Sequence, residues 1–326
     1  MDIRAYTVDA SSLWSGEATW DGPIAFIDLD AAGEVPGDLS LPPCPVIGVG
    51  DAAHALAPHL DAIIEAPVSA DSILRQVLAA PRAAAVTVQL LRLLLGLTPA
   101  EGLAAESFAY GLLQGSSEHR TWMEGRDEAP ARSEGRITLQ RTADCLHLTL
   151  DHPQSGNTVD RGMRDALYDA FNLAALDPEI RHVSLRGAGR TFSLGAELGE
   201  FGTTTDPATA HAIRCLTLPA HAAATCADKL HVHVRGGCVG AGLELAGWAR
   251  RLTATRDAWF HLPELSMGIL PGAGGCVSLT RRIGRQRTAL MILSGKRINA
   301  QRALSWGLVD AIVDDAPSDD GGTHVS

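Results

Sequence analysis

The chain has 326 residues, of which 46% are hydrophobic and 20% charged, so it can bury a sizeable core and is not disordered as a whole. Its formal net charge is −11, from 27 Lys and Arg against 38 Asp and Glu. Because an acidic chain without a basic tract attracts neither phosphate backbones nor anionic lipids, we expect no nucleic-acid partner and no membrane partner.

The beginning of the chain and its cysteines indicate a cytoplasmic protein. Residues 1–14 contain no basic segment followed by an apolar run, so we expect no signal peptide. The most apolar stretch, around residues 83–97, contains Arg92 and is shorter than the roughly 20 residues that a membrane-spanning helix needs. The six cysteines form no CxxC pair and no zinc-binding spacing, so we expect reduced thiols and no metal site.

The first part of the chain predicts a small α/β region followed by helices. Three short runs rich in Ile and Val, at residues 24–29, 45–50 and 60–66, are bounded by Gly, Pro or Asp and predict strands. Residues 69–126 predict helices, because apolar residues recur there at helical spacing. One of these helices should begin at residues 98–101 (TPAE), where Thr can cap, Pro suits the first turn and Glu can complete a capping box.

Beyond these helices the pattern changes. Residues 127–135 are polar and contain Pro and Gly, which predicts a linker. Residues 136–153 predict two strands around a turn at 142–144, and residues 161–176 predict a helix. Strands and helices alternate from there to the end of the chain, which implies an α/β layered domain.

We therefore divide the chain into four regions. A small α/β region spans residues 1–68, a helical region spans 69–132, and an α/β core spans 133–315. Residues 316–326 have the sequence APSDDGGTHVS, and we expect them to form a disordered tail.

Two stretches rich in small residues follow strands, where the backbone can approach a ligand closely. Residues 187–198 follow a strand at 182–185, although a simple tight turn is the alternative interpretation of this stretch alone. Residues 231–245 run from a strand through the small residues 240–242 into an apolar helix. We reject both a GxGxxG dinucleotide motif and a phosphate-binding loop, because no acidic residue lies at a suitable position after a second strand and GK[ST] is missing. The free N–H groups at this helix start suit an oxyanion instead.

Two glutamates complete this candidate site. Glu244 lies one turn into the helix, on a face that is otherwise small and apolar, and Glu264 lies in a loop shaped by Pro and Gly. An isolated Glu is usually a solvated surface group. Beside a helix start that attracts anions, however, burial would raise the pKa of a Glu and prepare it for proton transfer.

Five motifs in order resemble the enoyl-CoA hydratase/isomerase, or crotonase, superfamily over about residues 137–314. They are residues 157–159 (NTV), 192–198 (FSLGAEL), 235–246 (RGGCVGAGLELA), 263–275 (PELSMGILPGAGG) and 293–310 (LSGKRINAQRALSWGLVD). The resemblance implies an α/β, crotonase-like fold with a ββα superhelix core, here with an N-terminal α/β and helical extension. It also implies an enzyme that acts on a coenzyme A thioester, in a homotrimer or hexamer, with no cofactor because coenzyme A is part of the substrate.

The resemblance further assigns roles to individual residues. The oxyanion hole would use the main-chain N–H groups of Ala196 and Ala241, so Ala at 241 is acceptable where the family usually has Gly. Coenzyme A would lie along Ala196, Glu197, Leu198 and Gly199, close to Ala241. In hydratases of the family two glutamates act together, and Glu244 and Glu264 occupy both positions.

The implied reaction is hydration of a 2-enoyl-CoA. Glu244 would help to activate a water for attack on Cβ, and Glu264 would supply the proton to Cα. Because two ionised carboxylates that share one water would repel each other, one of them should be protonated at rest.

The chain also departs from the family pattern. Glu197 replaces the usual Asp, Arg235 replaces the usual Asn, and His261 and Leu262 replace smaller or polar residues beside Glu264. These differences bear on the choice of substrate more than on the fold. His261 is either a catalytic helper or, as we expect, a packed loop residue.

The order of the chain is unusual for the family. The family normally continues after its GLVD motif with several helices, whereas residues 60–126, which precede the core here, resemble those helices. One hypothesis is a circular permutation that moves the helical region to the front, and the alternative is an unrelated helical extension.

Three functional hypotheses stay open at this point. The first is a hydratase, and the second is another enolate-stabilising reaction, such as double-bond isomerisation or an arylacetyl-CoA oxygenase reaction. The third is a non-catalytic CoA-binding or assembly subunit, which would have no reason to keep both glutamates and both small oxyanion residues. The acyl group is not specified by the motifs, and Phe201, Trp248 and Trp259 are candidates for its pocket wall.

Overall fold

The computed structural model of the protein describes residues 2–13, 20–33, 39–126 and 134–314. The linker expected at 127–135 lies largely outside the described residues, and the tail expected at 316–326 lies wholly outside them. Within the described ranges, no single helix has the length and apolar character to cross a membrane, and one bent pair of helices meets that test by length and composition only.

The first three strands form a small parallel sheet. They are β1 (Ala25–Asp28), β2 (Val46–Val49) and β3 (Ala62–Ile63), with β2 in the middle. Each strand lies within one of the runs rich in Ile and Val, and β3 is much shorter than its run. Alternate residues of β1 join two separate hydrophobic clusters, so the sheet is covered on both faces, as is usual for parallel strands.

Four helices follow this sheet, as the sequence predicts for residues 69–126. These front helices are α1 (Ala70–Ala79), α2 (Pro81–Leu93), α3 (Pro99–Gln114) and α4 (Ser117–Glu124). The hydroxyl of Thr98 accepts the N–H of Glu101, and the Glu101 carboxylate accepts the N–H of Thr98, which is the capping box expected at the start of α3.

Two sheets form the core. Its strands are β4 (Arg136–Thr142), β5 (Cys145–Asp151), β6 (His182–Gly187), β7 (Leu230–Val234), β8 (Gly237–Val239), β9 (Arg251–Ala254), β10 (Trp259–His261), β11 (Ile298–Asn299) and β12 (Ala311–Ile312). The larger sheet has the order β12-β9-β7-β6-β5-β4 and is parallel except for the β4–β5 hairpin, whose turn lies where the sequence predicts it. The smaller sheet has the order β11-β10-β8.

Helices cover these sheets. They are α5 (Arg161–Leu176), α6 (Pro207–Thr217), α7 (Pro219–Thr225), α8 (Ala241–Ala246), α9 (Gly275–Ile283), α10 (Arg285–Ser294) and α11 (Ala300–Ser305). The α5 helix has the bounds expected from the sequence and is capped by Asp160, whose carboxylate accepts the N–H of Met163. The alternation of strand and helix thus produces layers around a shared interior.

The front helices and the core share one hydrophobic cluster. It contains Leu90 and Leu103 from the front helices together with Val277 and Leu290 from the core. The α3 helix packs against α6 and α9, while α1 and α2 pack against α10. The front helices therefore belong to the same folded body as the core.

One buried carboxylate joins the small sheet, the front helices and the core. Asp61 is 1% exposed and precedes β3. Its carboxylate accepts two bonds from the guanidinium of Arg92 on α2 (2.8 and 2.6 Å) and one from Arg285 on α10 (3.1 Å). It also accepts the N–H of Val46 at 2.9 Å. Since two cations depend on this single anion, we expect it to be important for stability.

Replacing Asp61 with Asn should lower the free energy of unfolding by about 3–5 kcal/mol, because both guanidinium groups would lose their counter-charge in a buried place. Urea denaturation measures this change. The matched control is Asp151→Asn, which breaks an ion pair with Arg136, whose side chain is 79% exposed. The control should change stability by about 1 kcal/mol or less. An equally small effect of both substitutions would contradict the prediction.

Candidate active site

A cavity of about 750 Å³ lies between the core and the front helices. Tyr110, Gln114 and His119 line it from the front helices. The core contributes the loop at 194–204, the helices α6 and α8, and the segment at 263–273. The candidate site residues that line this cavity are Ala196, Glu197, Leu198, Ala241, Glu244 and Glu264.

Asn157 holds the loop that carries Ala196. The buried side-chain amide of Asn157 donates to carbonyls at residues 188 and 191 (2.8 and 2.9 Å), which ties the glycine-rich turn to the first family motif. The N–H of Val159 donates to the carbonyl just before Ala196 (2.8 Å), and the carbonyl of Val159 accepts the N–H just after it (3.0 Å). The N–H of Ala196 itself has no acceptor among the described residues.

A glycine with an unusual backbone presents Ala241. Gly240 has φ +46°, a region that favours glycine, and its N–H donates to the carbonyl of His261 at 3.0 Å. A Cβ at this position would lie 2.6 Å from Oε1 of Glu264, so a side chain would collide with the carboxylate. Ala241 is the first residue of α8, and its N–H has no acceptor in the described part of the chain.

The segments that carry these two N–H groups are neighbours. A Cβ on Gly195 would lie 3.3 Å from the carbonyl oxygen of Val239 and 3.8 Å from Cα of Gly240. Gly195 precedes Ala196, and Gly240 precedes Ala241. Two unsatisfied main-chain donors on adjacent segments of one cavity wall are what an oxyanion hole requires.

Glu244 is held by the turn that precedes α9. Its side chain is buried, and its Oε2 accepts the N–H groups of Ala273 (2.6 Å) and Gly275 (2.9 Å). Burial raises the pKa of Glu244 to about 7, although these two hydrogen bonds favour the ionised form. Glu244 is therefore ready to exchange a proton near neutral pH.

Glu264 is in a different environment. It begins a short 3₁₀ helix, Glu264–Met267, and its side chain is buried. Its Oε2 is buried and has no hydrogen-bond partner among the described residues. Burial, and then repulsion from Glu244, raise the pKa of Glu264 well above the ordinary value. The surroundings of Glu264 therefore favour its protonated form, whereas Glu244 has two donors that stabilise an anion.

A third buried carboxylate, which sequence reasoning missed, supports the same turn. Glu106 on α3 is 1% exposed, and it accepts the N–H of Gly274 (2.7 Å) and the N–H of Val277 (3.3 Å). Burial, followed by repulsion from Glu244, raises the pKa of Glu106. The one signal in the sequence is its helical spacing, since Glu106 is three residues from the buried Leu103.

Comparisons with known proteins identify the family of the later part of the chain. The family model for enoyl-CoA hydratase/isomerase matches residues 140–319, which is more than half of the chain. The chain belongs to the enoyl-CoA hydratase/isomerase family. The chain is 34% identical over 183 residues to the 2,3-dehydroadipyl-CoA hydratase of Escherichia coli K12, covering 56% of this chain and 70% of that enzyme. It is 31% identical over 193 residues to the carnitinyl-CoA dehydratase of Salmonella agona, covering 54% and 67%.

Solved structures of the family confirm the predicted α/β, crotonase-like fold. An enoyl-CoA hydratase/isomerase from Mycobacterium paratuberculosis is 26% identical with a TM-score of 0.52, covering 57% of this chain and 75% of that one. An enoyl-CoA hydratase/carnithine racemase from Magnetospirillum magneticum is 28% identical with a TM-score of 0.50, covering 56% and 70%. The prediction of a hydratase-type lyase that carries out crotonase-type acyl-CoA hydration is likewise confirmed by the named relatives.

The loop at 196–199, along which coenzyme A was predicted to lie, only partly lines the cavity. Glu197 and Leu198 line the cavity. The Glu197 carboxylate accepts the hydroxyl of Thr158 (3.0 Å) and the N–H of Gly199 (3.1 Å), so the Glu that replaces the usual Asp braces the loop. Gly199, which was predicted to contact coenzyme A, is not among the residues that line the cavity.

Of the other residues that the sequence analysis named, only Phe201 lies at the cavity. His261 on β10 is half-buried and contacts the carbonyl of Gly295 (3.0 Å) rather than the cavity, and burial lowers its pKa. Of the three aromatic candidates for the pocket wall, Phe201 lines the cavity, whereas Trp248 and Trp259 do not. Among the described residues, no group of His, Cys, Asp and Glu is arranged to hold a metal ion.

The raised pKa values of these acids predict how stability depends on pH. A carboxyl whose pKa is higher in the folded protein stabilises the fold below the ordinary Glu value of about 4.3 and loses that contribution as pH rises through its folded pKa. The free energy of unfolding should therefore fall as pH rises from about 4.3 through about 7, the folded pKa of Glu244, and Glu264→Gln should reduce that fall. The control Glu179→Gln, at a side chain that is 83% exposed, should keep the wild-type slope in urea titrations. Identical slopes in all three proteins would contradict the assignment.

Proposed function

We propose that the protein hydrates a 2-enoyl-CoA thioester to a 3-hydroxyacyl-CoA through an enolate held by the N–H groups of Ala196 and Ala241. The observation that carries the proposal is the combination found on one cavity wall. Two main-chain donors that have no acceptor among the described residues lie beside two buried carboxylates, Glu244 and Glu264, whose surroundings favour different protonation states. Acyl-CoA hydration needs an oxyanion site, a base and an acid in such proximity.

The reaction follows from these roles. The thioester oxygen accepts both N–H groups, and Glu244 removes a proton from a water whose oxygen bonds to Cβ. The Cα=Cβ electron pair moves to form the enolate, which the two donors stabilise, each by roughly 2.7–4 kcal/mol. Glu264 then delivers its proton to Cα as the carbonyl re-forms. One water is added across the double bond. The proton that Glu244 took from the water then passes to Glu264, which restores both residues to their starting states.

The coenzyme A moiety is proposed to lie along residues 196–199. Arg161 and Arg164 line the cavity near this loop, and they supply cations for phosphate groups although the chain is acidic overall. Arg126 donates to the carbonyl of Leu198, and its guanidinium lies 4.8 Å from the ring centroid of Trp122. Because coenzyme A arrives as part of the substrate, no other cofactor is proposed, and the cytoplasmic location stays a prediction.

We also propose that the front helices replace the family's C-terminal helices through a circular permutation. The match to the two structural relatives covers 70–75% of their length and 56–57% of this chain. Part of each relative therefore has no counterpart at the same place in the order of this chain. Meanwhile α3 and α4 line the cavity through Tyr110, Gln114 and His119. A crystal structure superposed on a relative without regard to chain order should place α3 and α4 on the relative's C-terminal helices. Any other location would favour an unrelated extension.

A homotrimer or hexamer is the proposed assembly. It rests on the family resemblance and on an apolar surface formed by Phe108, Leu112 and Leu216, which are 63%, 66% and 69% exposed. Light scattering should give three or six times the mass of one chain. A monomer would contradict the proposed assembly without affecting the proposed reaction.

Glu244→Gln and Glu264→Gln should each lower kcat for hydration about 10²- to 10⁴-fold, because each removes a proton-transfer group while keeping its shape. The assay follows loss of the conjugated-enone absorbance of short and aromatic 2-enoyl-CoA esters. The matched control is Glu179→Gln, which changes an exposed side chain, and this variant should hydrate the esters at the wild-type rate.

Two outcomes would contradict parts of this proposal. If either Gln variant hydrates normally, the two-carboxylate mechanism is wrong. If the wild type hydrates no ester although coenzyme A raises its melting temperature, an isomerase or oxygenase reaction, or a non-catalytic CoA-binding role, replaces hydration.

A further inference from the structure

An arginine on α6 lines the active-site cavity without a counter-charge. Arg214 is half-buried and belongs to the cavity wall. Among the described residues, no carboxylate lies within ion-pair distance of its guanidinium. The acid whose charge it feels, Glu106, directs its oxygens to the N–H groups of Gly274 and Val277 instead. An arginine remains charged even when burial lowers its pKa, so this cation is held in the wall unpaired.

Arg214 is fixed in place by contacts that use only part of its donor set. Its Nε donates to the hydroxyl of Ser107 at 2.8 Å, and its Nη2 donates to the Ser107 carbonyl at 3.2 Å. Its guanidinium carbon lies 4.6 Å from the ring centroid of Tyr110. Its Nη1 makes no hydrogen bond to any described residue. The side chain is therefore oriented in advance and keeps donors available for a ligand.

Arg214 is close to the two catalytic glutamates, Glu244 and Glu264, through its contact with the ring of Tyr110. The ring of Tyr110 packs against Gly272, where a Cβ would come within 2.1 Å of the ring. The next residue along, Ala273, donates its N–H to Glu244. Tyr110 also feels the charges of both Glu244 and Glu264, in addition to that of Arg214. Arg214 therefore lies in the cavity wall close to the two glutamates, where it can contact a substrate bound between them.

An unpaired cation in a partly buried wall is costly unless a partner arrives with the ligand. A carboxylate matches a guanidinium in charge and in the geometry of its hydrogen bonds. Resting on the hydration proposed above, we propose that the acyl group of the substrate ends in a carboxylate that binds Arg214. The substrate class is the mono-CoA thioester of a short 2-enedioic acid.

The first experiment compares matched esters. Mono-CoA thioesters of 2-enedioic acids of increasing length are each paired with the neutral 2-enoyl-CoA of the same carbon number. The wild type should prefer the charged member, by about 10- to 100-fold in kcat/KM at the best length, which is the worth of one charge-assisted hydrogen bond. Arg214→Gln should abolish that ratio, Arg214→Lys should keep part of it, and Tyr110→Phe, which preserves the ring, should keep most of it.

A second measurement separates this inference from the proposed reaction. Saturated dicarboxylyl-CoA and neutral acyl-CoA esters of equal length cannot be hydrated, so calorimetric titration of the wild type and of Arg214→Gln reports recognition alone. Tighter binding of the charged ester that depends on Arg214 supports the inference even if no ester is hydrated. Arg141→Gln, on the exposed hairpin, is the control for loss of a positive charge elsewhere.

Two results would overturn the inference. One is an equal preference of the wild type for charged and neutral esters at every length. The other is a loss in Arg214→Gln that is the same for both members of each pair, because Arg214 would then only tie α6 to Ser107.

Discussion

The active site depends on one short turn that binds two buried carboxylates from opposite sides. Glu244 on α8 accepts the N–H groups of Ala273 and Gly275, and Glu106 on α3 accepts those of Gly274 and Val277. Because each N–H of this turn points to a defined oxygen, the position of Glu244 is coupled to the docking of the front helices. The shape of the cavity therefore follows from how α3 packs on the core.

The electrostatic state of the site follows from the same arrangement. Burial raises the pKa of Glu106, Glu244 and Glu264, and mutual repulsion adds to the effect at Glu106 and Glu264. The difference between Glu244 and Glu264 lies in their hydrogen bonds. Glu244 has two main-chain donors that favour an anion, whereas Oε2 of Glu264 has no partner in the described part of the chain. Two chemically identical side chains thus have surroundings that suit the opposite roles of base and acid in the proposed reaction.

The front helices do more than cover the core. They contribute Tyr110, Gln114 and His119 to the cavity, and Ser107 orients the Arg214 guanidinium. Helices that precede the core in the chain can line its cavity, because packing depends on complementary surfaces and not on the order of the segments in the chain. In this protein the region that precedes the core therefore forms part of the cavity wall, next to α6.

The sequence by itself determined the features that depend on local chemistry. Glycine at 240 and the caps of the helices are legible in the chain, since each satisfies a requirement of its immediate backbone. The roles of Ala196, Ala241 and the two glutamates were implied by the resemblance of the motifs around them to a known family. Only the tertiary structure revealed Glu106, which is 168 residues from its partner Gly274, and Arg214, which is 107 residues from Ser107. Their roles come from contacts between distant segments, and no local pattern encodes which buried charge will meet which donor.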